Sequence, residues 1–325
     1  MRHSEEFFKD IVRHVKLKPK MTVDELIREM AGSGCFGAGR LAQAVDIYEQ
    51  MLKEKALIVL GLAGAMVPGG MKNVVTEMIK RKMVNIIVST GANMVHDLLE
   101  VFGGYHYKGT AYIDDKLLYK HGVDRVYDVF IPEVDFRESF DKPLIEIFND
   151  IIRHKGNKIY STPELMREIG KRIIDENSII YNAYKYNVPI FVPTIHDSCY
   201  GLTAYEYRKY HGGERIIMDA FKDVSEFLEI IDKNNSGKKG ALLIGGGVPK
   251  NFIFQAAFKV NKPYNYVIQI TTDRPEPGGL SGATLEEAVS WGKVGGKASK
   301  VQVIGDATIC LPIIVAAVME RFFGK

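Results

Sequence analysis

The sequence predicts an α/β fold, a doubly wound parallel sheet with helices on both faces. Six short apolar runs recur along the chain, at 56–60, 84–88, 189–192, 241–244, 266–270 and 301–304. Uninterrupted runs of this length read as strands buried on both sides. Helical periods separate them, as at 69–82, 94–101, 213–232 and 308–323, and alternating strand and helix gives a parallel sheet wound in two directions. Each run also ends in small residues: GLAGAMVPGG, STGANMVHD, PTIHDS, GGGVPK, TTDRPEPGG and GDAT. Ligands in such sheets bind beyond the carboxyl ends of the strands, where these loops fall.

The remaining segments fit around that plan. Residues 4–16 and 23–31 read as two amphipathic helices, the second capped by Thr22 or Asp24. The glycine-rich stretch 32–44 nearly matches a dinucleotide fingerprint through Gly37, Gly39 and Ala42. It follows a helix where the fingerprint needs a strand, so it is read as the lead-in to a helix at 40–54. Residues 103–180 are richer in Tyr, Asp and Lys, with turn signals at Gly109, Gly122 and Pro163, and read as an insertion of short elements. Residues 233–240 read as a solvated loop. The apolar run 307–319 holds Pro312 and is too short to span a bilayer, so it is expected as a buried helix. A single domain over 1–325 is expected, with 1–31 as an N-terminal helical extension within it.

Composition excludes several classes. The chain has 325 residues, 46% hydrophobic and 26% charged, with a net charge of +3 and no long basic run. Neither nucleic acid nor an anionic membrane is indicated as a partner. Cys35, Cys199 and Cys310 are far apart with no CxxC pair, which fits a reducing cytoplasm. The charged N-terminus is no signal peptide. The other histidines, at 3, 14, 106, 121, 154 and 211, are scattered and read as exposed, and no metal site is expected.

The densest chemistry lies at 280–306, LSGATLEEAVSWGKVGGKASKVQVIGD. Lys293 follows the only tryptophan, Trp291, by two residues, with Glu287 and Asp306 on the same segment. A lysine becomes nucleophilic when an apolar pocket lowers its pKa, and an indole and a carboxylate supply such surroundings. In isolation the pattern more often describes a solvated lysine beside a core tryptophan. GGGVPK reads either as a phosphate-cradling turn or as a tight crossover without a ligand. His96 with Asp97, and His196 with Asp197, stand at strand ends, placed for ligand contact or for capping and turn stabilisation. Nothing marks Ser198 or Cys199 as a nucleophile.

Taken together, GLAGAMVPGG (61–70), VSTGANMVHDL (88–98), FVPTIHDS (191–198), IGGGVPK (244–250), LSGATLEEAVSWGK (280–293) and GDAT (305–308) resemble the deoxyhypusine synthase family, in family order and over nearly the whole chain from about residue 32. The resemblance implies a Rossmann-like sheet shared with sirtuin-type NAD domains, a homotetramer with active sites at subunit interfaces, and NAD as cofactor. It implies that spermidine donates its aminobutyl group to a lysine of the hypusine-carrying translation factor, releasing 1,3-diaminopropane. Lys293 matches the imine-forming lysine. Glu287, Trp291 and Asp197 match the substrate region, and Thr90, Gly246, Gly247, Thr272, Ser281, Asp306 and Ala307 the NAD-contacting segments. His96 replaces an acidic residue that contacts the ribose. Three positions depart from the eukaryotic pattern. Asn251, in the substrate site, stands where a histidine follows GGGVxK, and an amide cannot shuttle protons. Leu202 and Leu280 stand where carboxylates are expected. Two alternatives share these residues: a paralogue with another amine donor or acceptor, such as a homospermidine-forming one, and a non-catalytic NAD-binding scaffold.

Overall fold

Six parallel strands form the central sheet: β1 (Leu57–Leu62), β2 (Ile86–Ser89), β3 (Ile190–Phe191), β4 (Lys239–Ile244), β5 (Tyr264–Thr271) and β6 (Val294–Ile304). All six coincide with the apolar runs of the sequence. Their lateral order is β3-β2-β1-β4-β5-β6, with Leu62 of β1 level with Ser89 of β2 and Ile244 of β4. The chain winds outward from β1 in one direction and from β4 in the other, so the connection reverses between these two strands. This is the Rossmann order. The structure, a computed structural model, describes residues 9–212, 215–234 and 237–324.

Side chains alternate between the faces, as strand geometry requires. Ile58, Leu60 and Leu62 pack with the helices Phe36–Lys53, Gly91–Val101 and Ala307–Phe323. Val59, Leu243 and Val267 pack with Ala220–Asp232 and Gly247–Lys259 on the other side. Gly61 faces this second layer. A Cβ there would lie 2.9 Å from Leu243 Cδ2 and 3.0 Å from Ile253 Cδ1, so its absence lets the Gly247–Lys259 helix lie close against the sheet. At the far end of the chain Arg321 pairs with Asp24 and, at 2.6 Å, with Asp46. Glu320 accepts the Asp24 N–H at 2.8 Å, so the last helix caps the Val23–Ser33 helix.

Several expectations are corrected. Residues 9–16 are not helical: Ile11 is 88% exposed, and a short segment with no apolar face to bury is marginal as a helix in water. Positions 4–8 lie outside the described residues. The second helix begins at Phe36 rather than 40, because Gly39 packs directly on Gly34; these glycines permit close approach. Within 213–232 the helix starts only at Ala220, where Asp219 accepts the Phe221 and Lys222 N–H groups; residues 213–214 lie outside the described set. The helix Cys199–Tyr210 was not anticipated. The loop expected at 233–240 stops short of Lys239, which opens β4 and is 5% exposed; residues 235–236 lie outside the described set. The insertion holds a three-stranded antiparallel sheet and the long helix Lys142–Lys155. Among the described residues no helix is long and apolar enough to cross a membrane.

Two buried carboxylates hold the periphery to the sheet. Asp97 accepts from Ser178 Oγ and from the Ile179 and Ile180 N–H groups. Asp223, 1% exposed, accepts from the Thr162 N–H at 2.6 Å and from Thr162 Oγ1 at 2.5 Å, while Thr162 Oγ1 accepts from Val192 N–H just beyond β3. Burial pushes both carboxyls up to about 6. A folded-state pKa above the unfolded one gives a stabilising term that is present below the unfolded value and lost as pH rises through the folded one. Asp223→Asn keeps a partner for both Thr162 groups and removes the titration. Relative to wild type the variant is therefore expected to gain stability between pH 4.5 and 7.5, by about 2 kcal/mol. Urea unfolding at both pH values measures this, and a variant whose deficit stays constant would refute it.

Candidate active site

The reversal between β1 and β4 opens a cleft of about 300 Å³ at the carboxyl ends of the strands. Ala63, Gly64 and Met66 wall it after β1, Gly245 and Gly246 after β4, Thr272 and Asp273 after β5, and Asp306 and Ala307 after β6, with Ser281 closing the side. Five of the positions expected at a cofactor are brought together here: Gly246, Thr272, Ser281, Asp306 and Ala307. The glycines are required by the path of the chain. Gly245 and Gly247 have φ of +70° and +54°, and a Cβ on Gly246 would lie 2.4 Å from Ser281 Cα. Gly247 is the first residue of the Gly247–Lys259 helix, whose leading N–H groups no side chain caps. Thr90 likewise precedes the Gly91–Val101 helix without a side-chain cap, and its N–H donates to Leu62 O at 3.1 Å. Uncapped helix starts over a glycine turn suit an anionic group such as a pyrophosphate. Asn93 fixes the β1 loop, accepting from Met66 N–H and donating to Gly64 O.

A second, narrower pocket of about 40 Å³ lies between the Gly247–Lys259 helix and the short Leu285–Ser290 helix. It gathers Asn251, Glu287, Trp291 and Lys293, together with Lys250 and Leu280. Lys293 Nζ stands 5.1 Å from the centre of the Trp291 ring, close enough for a cation–π contact. Two features differ from expectation. Lys293 precedes β6, at the amino end of the strand, so this pocket lies along the face of the sheet rather than among the carboxyl-end loops. Trp291 is 57% exposed, so within one chain the indole does not dry the amine.

Two further expected residues lie elsewhere. His96 is outside the cleft lining. Its Nδ1 meets His106 Nε2 at 2.9 Å, and His106 Nδ1 meets Glu100 at 2.6 Å. Burial first, and then His106, push His96 down to about 4, so its ring is neutral at pH 7. The His106 side chain, read from the sequence as exposed, is 7% exposed. Asp197 is exposed on the turn after β3, at the opposite edge of the sheet from β6. The neighbouring hollow of about 310 Å³ beside His196 is mainly apolar, and its carboxylates are engaged, Asp223 with Thr162 and Asp219 as a helix cap. Among the described residues no three His, Cys, Asp or Glu side chains are grouped to hold a metal ion.

Sequence reasoning also passed over Lys250 and Gln269, both buried between cleft and pocket. The available signal was Gln269 itself, a polar residue within the apolar run YVIQI.

Sheet order, switch-point cleft and glycine turns define an α/β protein of Rossmann type. The sequence matches the deoxyhypusine synthase family profile over residues 25–318. It is 46% identical over 311 residues to "Probable deoxyhypusine synthase 1" of Methanosarcina acetivorans, covering 95% of each chain. It is 42% identical to the protein of the same name from Archaeoglobus fulgidus, covering 92% of this chain and 94% of that one. A crystal structure described under the same family name, from Entamoeba histolytica, superposes with a TM-score of 0.65 at 18% identity, over 94% of this chain and 96% of that one. The chain belongs to the deoxyhypusine synthase family, and with it to the transferases.

Proposed function

We propose that this protein transfers the aminobutyl group of spermidine to a lysine of the hypusine-carrying translation factor, with NAD in the switch-point cleft and Lys293 as the covalent carrier. The observation that carries this reading is that Lys293, Glu287 and Trp291 share one pocket whose wall, 280–283, is also a wall of the cleft. The cleft suits a dinucleotide: uncapped helix N–H groups for the pyrophosphate, a close backbone approach at Gly245 and Gly246, and the Asp273 and Asp306 carboxylates for ribose hydroxyls. NAD bound there supplies a hydride acceptor for the carbon beside the secondary amine of spermidine, and a hydride donor once the group has moved.

The chain's own residues do the rest. Glu287 attracts an ammonium end of the polyamine, and Trp291 offers its ring face to methylene and cation alike. Lys293, as a neutral amine, attacks the imine carbon of oxidised spermidine. Its nitrogen forms the new C–N bond, the bond to 1,3-diaminopropane breaks, and the leaving amine takes up the proton that Lys293 gives. An acceptor lysine then displaces Lys293 by the same exchange. Asp197 reaches this pocket only from another copy of the chain, which accords with a homotetramer whose subunits complete each other's sites and exclude water from Trp291.

Incubation with labelled spermidine, NAD and two acceptors, the translation factor and putrescine, tests the reading. Release of 1,3-diaminopropane with label on the protein acceptor is expected. Label on putrescine instead would make the enzyme a homospermidine-forming paralogue, the outcome that Leu202, 68% exposed, and Leu280, 45% exposed, would explain. NAD binding without diaminopropane release would leave a scaffold. In parallel, light scattering should give a tetramer whose melting temperature rises with NAD.

A further inference from the structure

The Gly247–Lys259 helix turns Lys250 inward. The residue is 3% exposed, and its Nζ reaches Gln269 Oε1 at 3.0 Å, the Leu280 carbonyl at 3.0 Å and the Ala283 carbonyl at 2.6 Å. An ammonium has three N–H donors, and here each has an acceptor. Gln269, fully buried in β5, donates its Nε2 hydrogens to Gly245 O and Ser281 O, both at 2.9 Å. Two side chains thus hold carbonyls from two walls. Gly245 and Ser281 line the cleft, and Leu280 and Ala283 line the lysine pocket.

We propose that Lys250 and Gln269 are a positioning pair for the transfer reaction, fixing segment 280–283 as the common wall of the cofactor cleft and the Lys293 pocket, so that filling the cleft is felt at Lys293. This rests on the reading of cleft and pocket given above. A buried ammonium is costly unless fully hydrogen-bonded, and spending one on two backbone carbonyls and an amide has no function in holding a surface loop alone. The pair works through geometry, and its members do not exchange atoms with the substrate.

The device has a built-in alkaline limit. Burial pushes Lys250 down to about 8, with Glu287 opposing the shift and Lys293 adding to it; these are the charged groups that face it. A neutral amine donates two hydrogens, so above that pH one of the three acceptors loses its partner.

Trp291, the sole tryptophan, lies in the lysine pocket, and its emission reports events in the cleft without any turnover. The full-length protein is titrated with NAD, following Trp291 emission and melting temperature between pH 7 and 9.5. Borohydride trapping of labelled spermidine is run alongside. In the wild type NAD is expected to change the emission, with affinity falling above pH 8. Lys250→Met is expected to lose NAD affinity about tenfold or more, to lose the emission change, and to show no alkaline fall. Lys250→Arg keeps the charge at every pH and should bind NAD without the alkaline fall. Should neither variant fold, Gln269→Leu, which leaves Lys250 in place, should lose the emission change. The proposal is overturned if Lys250→Met keeps wild-type affinity and emission change, or if the alkaline fall persists in both Lys250 variants. If no variant folds, a wild-type affinity flat to pH 9.5 overturns it. A wild type that shows these NAD responses but fixes no label refutes the transfer reaction alone. A wild type that binds no NAD overturns both.

Discussion

Lys293→Arg is expected to eliminate the covalent adduct while leaving the cofactor cleft intact. Borohydride added during turnover with labelled spermidine and NAD should fix label on the wild-type peptide that contains Lys293, and at least about a hundredfold less on the variant, since the guanidinium stays protonated and non-nucleophilic at any working pH. Separation of the two hollows sharpens the expectation. Lys293 lines the narrow pocket and not the cleft, so the rise in melting temperature with NAD should survive the substitution. Because the hydride leaves spermidine before the lysine acts, slow release of 1,3-diaminopropane by the variant is compatible with the mechanism. Equal labelling of the acceptor by variant and wild type is not, and would mean direct transfer without the lysine carrier.

Mixing two inactive variants should restore activity. Asp197 stands beyond β3 at one edge of the sheet and Lys293 beside β6 at the other. Five strand spacings separate the edges, roughly 24 Å, too far for both to hold one polyamine within a chain. Asp197→Ala and Lys293→Ala are each expected to lose most activity. Refolded together, half of the paired subunits are mixed, and in each mixed pair one of the two shared sites keeps both residues. Recovery of about a quarter of wild-type activity is expected for such isologous pairing. No recovery from an equimolar refolded mixture, with mixed assemblies verified by mass spectrometry, would place each complete site within one chain.

The inner strands were legible because they are nearly continuous apolar runs buried on both faces, whereas the edge strand β6 is partly exposed and showed only its last four residues, 301–304. All six runs became strands of one sheet, and the cleft followed because its walls are the small-residue loops that end them. The lysine pocket was legible only as a list of residues. Periodicity could not tell that 280–293 runs down the face of the sheet, since that path depends on the Leu285–Ser290 helix packing beside Gly247–Lys259. Lys250 went unseen for a related reason. A lysine on a helix is ordinarily solvated, and only the three-dimensional approach of two carbonyls and Gln269 makes an interior one tenable. The stretch 9–16 failed in the opposite sense: its charged spacing suggested a helix, whereas its non-helical backbone donates to the first helix, from Arg13 N–H to Gly32 O and from Lys16 N–H to Glu29.

The lateral order of the strands bears on how the protein is made. β1 sits in the middle of the sheet, paired on one side with β2 and on the other with β4, whose residues follow Leu62 by nearly two hundred positions. On the ribosome, β1 and β2 emerge early, and the open flank of β1 waits until Ile244 has left the exit tunnel. During that interval the nascent chain carries an apolar, unpaired strand edge, the kind that captures other chains. The Val23–Ser33 helix waits longer still for its partners at the far end of the chain, since Glu320, which accepts its Asp24 N–H, and Arg321, which pairs with Asp24, are among the last residues added. Truncation from the C-terminus would therefore release the first helix as well as the last. Long-range pairing of this kind makes folding slow, and makes production of this protein sensitive to chaperone supply while its centre stands open.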